Sequence, residues 1–471
     1  MVESNLPLTI IILWLAITYT YSFIISRKKR GVEEWFTAGR RVGLITLWLS
    51  LGANIYSSYT FLGLPGETAR KGFTVFIYMI YGMIAYIIGY WLIPILWSRA
   101  KSRNWLTLAD AYAQLYDSRL VEVFVAITAS LWIIPYIQLQ LEGINAILQV
   151  VAGEEALYVT IAIFVLLTIV VTIGGLSATI SINALQGAIM LVSIWFLGLT
   201  APIIAYGGYG NLFRKIIETN QTGSFTLIPR NEDLIALYTT ITAAPLGFWL
   251  WPNRIHNIFA ARDIETTRKN TVLTSIFQLS QIPVVIVGFV AAAMYASGTI
   301  PKPLSKEGYD RALVEVTKHL YPPALLGLVC AGAVAASIST AVALLQSTAA
   351  LFSKNVLGGR MKLLWLARVL TLTIASISLI SMLYIKEAIV GLLLVGYGGI
   401  IQLFPPLVIN MAKPGYINKY VATLSMASGM VTVLVFKILN PIKGLYEGFA
   451  GILVNILIIT LYVIFKKLLH R

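Results

Sequence analysis

Ser339 and Thr340 stand side by side in the apolar run Ala331–Asn355, "AGAVAASISTAVALLQSTAALFSKN". On a helix, each hydroxyl can fold back toward the carbonyls three or four residues earlier. The carbonyl of Ala336 is three before Ser339 and four before Thr340, so three oxygens can converge beside one helix. A bare Na+ takes about five or six oxygens, by analogy with other hard cations. Two or three more would therefore complete a neutral cage. The plainer alternative is back-bonding in a helix of small residues that packs closely.

A second stretch can supply the missing oxygens. Ser50–Gly66, "SLGANIYSSYTFLGLPG", sits in an apolar segment. It nonetheless carries Asn54, five consecutive hydroxyl residues from Tyr56 to Thr60, three glycines and Pro65. A break in a membrane helix frees carbonyls and amides that must be buried in protein or line a water-filled cavity. Freed carbonyls at a half-helix end suit a small cation, and freed amides at the next half-helix favour an anion. A Gly/Pro kink for packing is the alternative. Thr242–Asn257, "TAAPLGFWLWPNRIHN", is interrupted in the same way by Pro245, Gly247 and Pro252.

The elements that carry these residues follow from composition. The 471 residues are 58% hydrophobic and 12% charged, with a mean hydropathy of +0.81. That charge content is about half of what a soluble domain carries, so the chain reads as an all-α integral membrane protein. Apolar windows long enough to span fall near Leu6–Ile25, Val42–Gly66, Gly72–Trp97, Leu120–Val151, Leu157–Gly175, Ile180–Gly207, Leu234–Phe259, Thr271–Ser297, Pro323–Phe352, Leu363–Tyr384, Ala388–Met411, Tyr420–Leu439 and Gly448–Phe465. These are about 13 transmembrane helices in a single transmembrane domain. Five begin with the first interrupted helix (42–207) and five with the second (234–411). That leaves an extra helix at 6–25 and a C-terminal pair at 420–465. Matching breaks in two halves point to an inverted-repeat transporter with its site at the breaks.

The net charge of +15 reads as the basic bias of cytoplasmic loops rather than a nucleic-acid surface. With the N-terminus outside, 23 of the 35 Lys and Arg fall on the inner side, including Arg27–Arg30, Arg40, Arg99, Arg119, Arg254, Lys354, Arg360, Lys362 and Arg471. The C-terminus is then cytoplasmic, in a plasma membrane. His256, beside Arg254, reads as a solvated position at an inner helix end. Cys330 alone excludes a disulfide framework.

The two stretches resemble the first and eighth core helices of the sodium:solute symporter family. Ala38–Phe73, Gly174–Met190, Pro245–Asp263 and Ala335–Asn355 match it in family order. The resemblance implies a LeuT-like fold of ten core helices in a 5+5 inverted repeat with broken first and sixth core helices. It also implies one Na+ site: the main-chain oxygens of Ala53, Tyr56 and Ala336 and the side-chain oxygens of Ser339 and Thr340. The chain departs from many relatives in having Ile55 and Asn183 where an acid often stands, and Trp251 and Asn257 where Gln and Arg are common. A single Na+ per cycle follows.

"GFWLWPN", "PYIQLQLEG" and "YSSYTFLG" look most like the monocarboxylate-permease branch. A small carboxylate could accept from the amides and hydroxyls around Ser57, Ser58 and Thr60. Tyr59, Tyr78, Tyr81, Trp249 and Trp251 could wall its apolar part, though each could equally be a packing aromatic. Glu142 is the carboxyl well inside a predicted span, so it offers an H+-coupled alternative or a gating role.

The expected function is secondary active symport of a small organic solute, a monocarboxylate or amino acid, with Na+ as coupling ion. No organic cofactor, nucleic acid or obligate protein partner is expected; the bilayer is the partner. An enzyme would need paired acids or a metal cluster in the membrane. A channel would need a filter motif. A sensor on the same scaffold would usually carry a cytoplasmic signalling domain.

Overall fold

In lipid every backbone amide and carbonyl must be satisfied within the protein, which leaves helices and closed barrels. The computed structural model is helical accordingly. It describes residues 5–26, 32–219, 231–358 and 364–469, and among them the sole β contact is an isolated bridge between Val42 and Ala261. Nine helical stretches among the described residues are long and apolar enough to cross a membrane, and three shorter apolar helices join them: Leu6–Tyr21, Leu44–Ile55 and Arg368–Tyr384. Each expected span has a helical counterpart, and Leu157–Gly175 and Ile180–Gly207 share one helical segment. Of the basic residues used for orientation, Arg27–Arg30, Arg360, Lys362 and Arg471 lie outside the described residues.

That segment, Ala156–Tyr206, is helical throughout its 51 residues. A straight helix of that length would measure about 75 Å, more than twice the hydrocarbon core. Its two ends nevertheless lie at one end of the bundle. The Val150 carbonyl, just before it, accepts from Lys318, and Thr200 meets the Tyr321 hydroxyl three residues further on. Ser177, near its middle, bonds Glu34 at the opposite end. The segment therefore acts as two arms.

Two interrupted helices face each other across the bundle. The first runs Leu44–Ile55, bends at 56–58, makes one π turn at Tyr59–Gly63 and resumes at Leu64–Lys71. The second runs Asn231–Gly247, tightens into a 3-10 turn at Phe248–Leu250, extends at Trp251 (φ −59°, ψ 126°) and restarts at Pro252–Phe259. Pro252 stands where its missing N–H costs nothing, at the first turn of the new helix. Against both packs Pro323–Ala350, a 28-residue helix buried without interruption from Val329 to Ala350. Its run of Ala, Gly and Ser admits neighbouring backbones at close range.

One end of the bundle gathers basic side chains on carbonyls. Arg40 donates to Trp105 O, Arg99 to Met411 O and Arg119 to Val356 O. Arg254 and His256 do not join them. Both are buried, at 2% and 0% exposure, which corrects the inner-loop placement. The helix that restarts at Pro252 turns back into the bundle, between Leu44–Ile55 and Pro323–Ala350.

Candidate ion and solute site

The ladder of Leu44–Ile55 ends with Tyr56 N donating to Gly52 O at 2.8 Å, and the next turn begins with Thr60 N and Phe61 N on Ser57 O. The carbonyls from Ala53 to Tyr56 fall in the gap. Two hydroxyls from Pro323–Ala350 fill part of it. Ser339 donates to Ala53 O at 2.9 Å and to Ala336 O at 2.9 Å. Thr340 reaches Ala336 O at 3.2 Å, Asn54 O at 3.2 Å and Ala53 O at 3.4 Å. All five residues are fully buried. Ala53, Ala336, Ser339 and Thr340 thus meet as the sequence suggested. Tyr56 lies at the helix end, and neither hydroxyl bonds its carbonyl. The oxygen that spacing missed is Asn54 O, one residue along in the same gap.

Neutral oxygens converging in a dry site, with no carboxylate among them, suit a monovalent cation better than a divalent one. A full neutralising charge is then not required. Asn183 donates to Ser339 O at 3.3 Å, and its own carbonyl oxygen makes no well-formed hydrogen bond among the described residues. Below the group, Ser50, Asn54, Asn253 and Asn257 form a ladder of amides between the two interrupted helices.

Above the group, Ser58 bridges three elements. Its amide and hydroxyl donate to Gln140 Oε1 at 3.2 and 3.0 Å, and its hydroxyl meets Ser337 at 2.6 Å. Ser57 accepts from the Tyr59 amide at 3.3 Å and shapes the turn. The Tyr59 and Thr60 hydroxyls are buried with no well-formed hydrogen bond. Tyr81 sets its ring edge to Tyr397, centroids 5.8 Å apart, and Tyr78 lies one turn away on the same helix. Trp251 is held between Tyr136 at 4.7 Å and Tyr397 at 5.3 Å, with its indole N–H free of a well-formed partner. Trp249 differs. Its indole N–H donates to Ala85 O at 2.7 Å and its ring packs on Tyr86 and Phe248, so its polar atom is committed to the scaffold.

Arg254 enters this aromatic cluster from the second break. It donates to Phe248 O at 2.6 Å and to the Tyr397 hydroxyl at 2.9 Å. His256 points elsewhere, with Nδ1 3.4 Å from Gln346 Oε1 and Nε2 without a partner. Glu142 lies apart as well. It lines a cavity of about 290 Å³ with Asn145, Gln149, Glu307, Asp310 and Lys386, and its Oε1 makes no hydrogen bond among the described residues.

Comparison with known proteins places this geometry. A family model, "Sodium:solute symporter family", matches residues 35–442. The uncharacterized symporter YhjB of Bacillus subtilis (strain 168) is 29% identical over 415 residues, covering 86% of this chain and 83% of that protein. A monocarboxylate transport permease protein of Rhizobium johnstonii is 26% identical over 296 residues, 62% of this chain and 60% of its own. The sodium/proline symporter of Escherichia coli (strain K12) is 22% identical over 469 residues, 94% of this chain and 90% of its own. Among solved structures, a Na+-coupled sialic acid symporter in a substrate-bound outward-open state superposes with a TM-score of 0.80, at 16% identity over 97% of both chains. The shared fold is the LeuT-like one.

Proposed function

The chain belongs to the sodium:solute symporter family, a family of transporters and not of enzymes, and on that premise we propose how its residues divide the work of Na+-coupled symport. Na+ sits between the first interrupted helix and Pro323–Ala350. Its ligands are the main-chain oxygens of Ala53, Tyr56 and Ala336 and the side-chain oxygens of Ser339 and Thr340, with Asn54 O within reach of the same hydroxyl. The observation that carries this is the convergence of both hydroxyls on the freed Ala53 carbonyl. When the hydroxyls turn their lone pairs inward, the same oxygens form a cation cage.

The solute lies above the ion, against Ser57, Tyr59 and Thr60 and between Tyr78, Tyr81 and Trp251, while Trp249 backs the wall. It is a monocarboxylate or an amino acid, a reading supported by the relatives that carry monocarboxylates and proline. Na+ draws the first interrupted helix onto Pro323–Ala350 and so completes the solute pocket. The coupling is reciprocal: each ligand raises the other's affinity by the same factor. Alternating access follows as the bundle rocks against the scaffold, with one Na+ per cycle. The protein sits in the plasma membrane with its N-terminus outside and its C-terminus in the cytoplasm, the side favoured by the basic clusters.

One observation favours a second reading. Glu142 presents an unpartnered oxygen near a polar cavity, the setting of a proton carrier, and would make the protein an H+ symporter. The test is transport current from the purified protein in liposomes, under an inward Na+ gradient and then an inward H+ gradient. Pyruvate, lactate, short-chain acids, alanine and proline are offered in turn. A current that requires Na+ supports the first reading. A current driven by H+ alone replaces it with the second.

A further inference from the structure

Arg254 is a fully buried cation without a carboxylate. None of the ion pairs among the described residues includes it. Its neighbours are neutral: the Phe248 carbonyl, the hydroxyls of Tyr397 and Tyr136, and the faces of Phe248 and Tyr397, whose centres are 4.1 and 5.8 Å from Cζ. Its Nε makes no well-formed hydrogen bond among the described residues. Burying a guanidinium in a membrane protein is expensive, and one carbonyl, two hydroxyls and two ring faces, all neutral, offset only part of the cost. A guanidinium fork matches a carboxylate with two parallel bonds. The surroundings suit the rest of such a ligand. Trp251, in contact with Tyr397, buries an indole N–H with no well-formed partner, and the hydroxyls of Tyr59 and Thr60 are in the same condition. These donors come from both interrupted helices, where the solute is placed above.

We propose that Arg254 is the specificity residue for the solute and holds the carboxylate of a small organic monoanion. This rests on the symporter reading and sharpens it. The cluster offers one cation and no acid to face an ammonium, so the preferred solute is a hydroxy, keto or short-chain acid rather than a zwitterionic amino acid. The neighbouring donors Trp251 and Tyr59 take the oxygen substituent. Tyr397 keeps the guanidinium plane turned toward the pocket, so it is a positioning residue.

The test uses the full chain in nanodiscs, with ligand affinity read from intrinsic tryptophan fluorescence and from melting temperature. The probes are paired: lactate with lactamide, pyruvate with pyruvamide, propionate with propionamide, and alanine as the zwitterion. In saturating Na+, at least one acid binds, while its amide and alanine bind about 30-fold more weakly or worse, the loss expected for a desolvated charge pair. Arg254→Gln loses acid binding to the same degree. Arg254→Lys recovers only part of it, because an ammonium lacks the fork. Acid and amide binding equally, alanine matching lactate, Arg254→Gln keeping its acid affinity, or silence with all three acids would each overturn the proposal. The paired acids and amides decide on the wild-type protein even if the variants fail to fold. Melting in Na+ without solute is read alongside. If Na+ stabilises the wild type but acids and amides are equal, only the role of Arg254 falls. If Na+ has no effect against choline, the symporter reading falls with it.

Discussion

The Ser339 hydroxyl lies 2.9 Å from the main-chain oxygen of Ala53, a residue 286 positions earlier in the chain. It lies at the same distance from Ala336 O in its own helix. One side chain therefore ties the freed end of the first interrupted helix to the middle of the most buried of the long spans.

That tie makes the cation site testable by deletion of one oxygen. Ser339→Ala and Thr340→Ala should each raise the Na+ concentration for half-maximal uptake by about tenfold or more, the scale on which support around a metal ion is lost. Maximal uptake at saturating Na+ should change less. Unchanged Na+ dependence in both variants would sink the assignment.

Glu142 separates the two coupling ions. Under the Na+ reading, Glu142→Gln keeps Na+-driven uptake within about threefold of wild type. A pH gradient alone then drives nothing in either protein. A variant that no longer transports, beside a wild type driven by protons, would decide for H+ coupling.

Asp310 gives a pH dependence of stability. Its carboxyl is buried in the loop before Pro323–Ala350, accepts from Ile389 N at 3.1 Å and faces Glu67, Glu142 and Arg70. Burial pushes its pKa well above the usual carboxylate range, and the two nearby acids add to the push. A carboxyl raised on folding binds its proton more tightly in the native state. Stability therefore falls as pH rises from the ordinary carboxylate value toward the raised one, and then levels off. Melting temperatures of wild type should decline across that window. Asp310→Asn, which can still accept from Ile389 N, should flatten the decline. Parallel curves for the two proteins would count against it.

Close backbone approach predicts the effect of one methyl group. A Cβ on Gly288 would come within 2.7 Å of Pro65 O and 2.5 Å of Thr68 Cβ, so the outer half of the first interrupted helix must shift. Gly288→Ala should cost about 1–3 kcal/mol of stability, the usual price of overpacking, read as a lower melting temperature. No change would show that Leu64–Lys71 moves freely against its neighbour.

Where the sequence read well, the reason is local. Ser339, Thr340 and Ala336 share a helix, so their spacing alone brings three oxygens together. The two interruptions show as Gly and Pro in apolar runs. The sequence points Arg254 to an inner loop and His256 to an inner helix end because a basic residue after a Pro break resembles a span's end. Only the packing of Pro252–Phe259 into the bundle shows otherwise, and no sequence window contains that packing. Trp249 and Trp251 are two residues apart and alike in composition. Yet one spends its N–H on Ala85 O while the other keeps it, a difference set by a third helix. Asn54 O was missed because main-chain oxygens leave no mark in the residue type. The two arms of Ala156–Tyr206 are legible as well, because the apolar windows Leu157–Gly175 and Ile180–Gly207 part between them.

The 286-residue separation between Ala53 and Ser339 also bears on how the chain is made. The carbonyls of the first interruption are inserted early, whereas the hydroxyls that satisfy them are translated only after six further spans. Until then those carbonyls must be hydrated or borrowed by other groups, because lipid satisfies none of them. The first repeat by itself therefore leaves an open polar seam at this break. Pairing at such range delays its closure until Pro323–Ala350 has inserted.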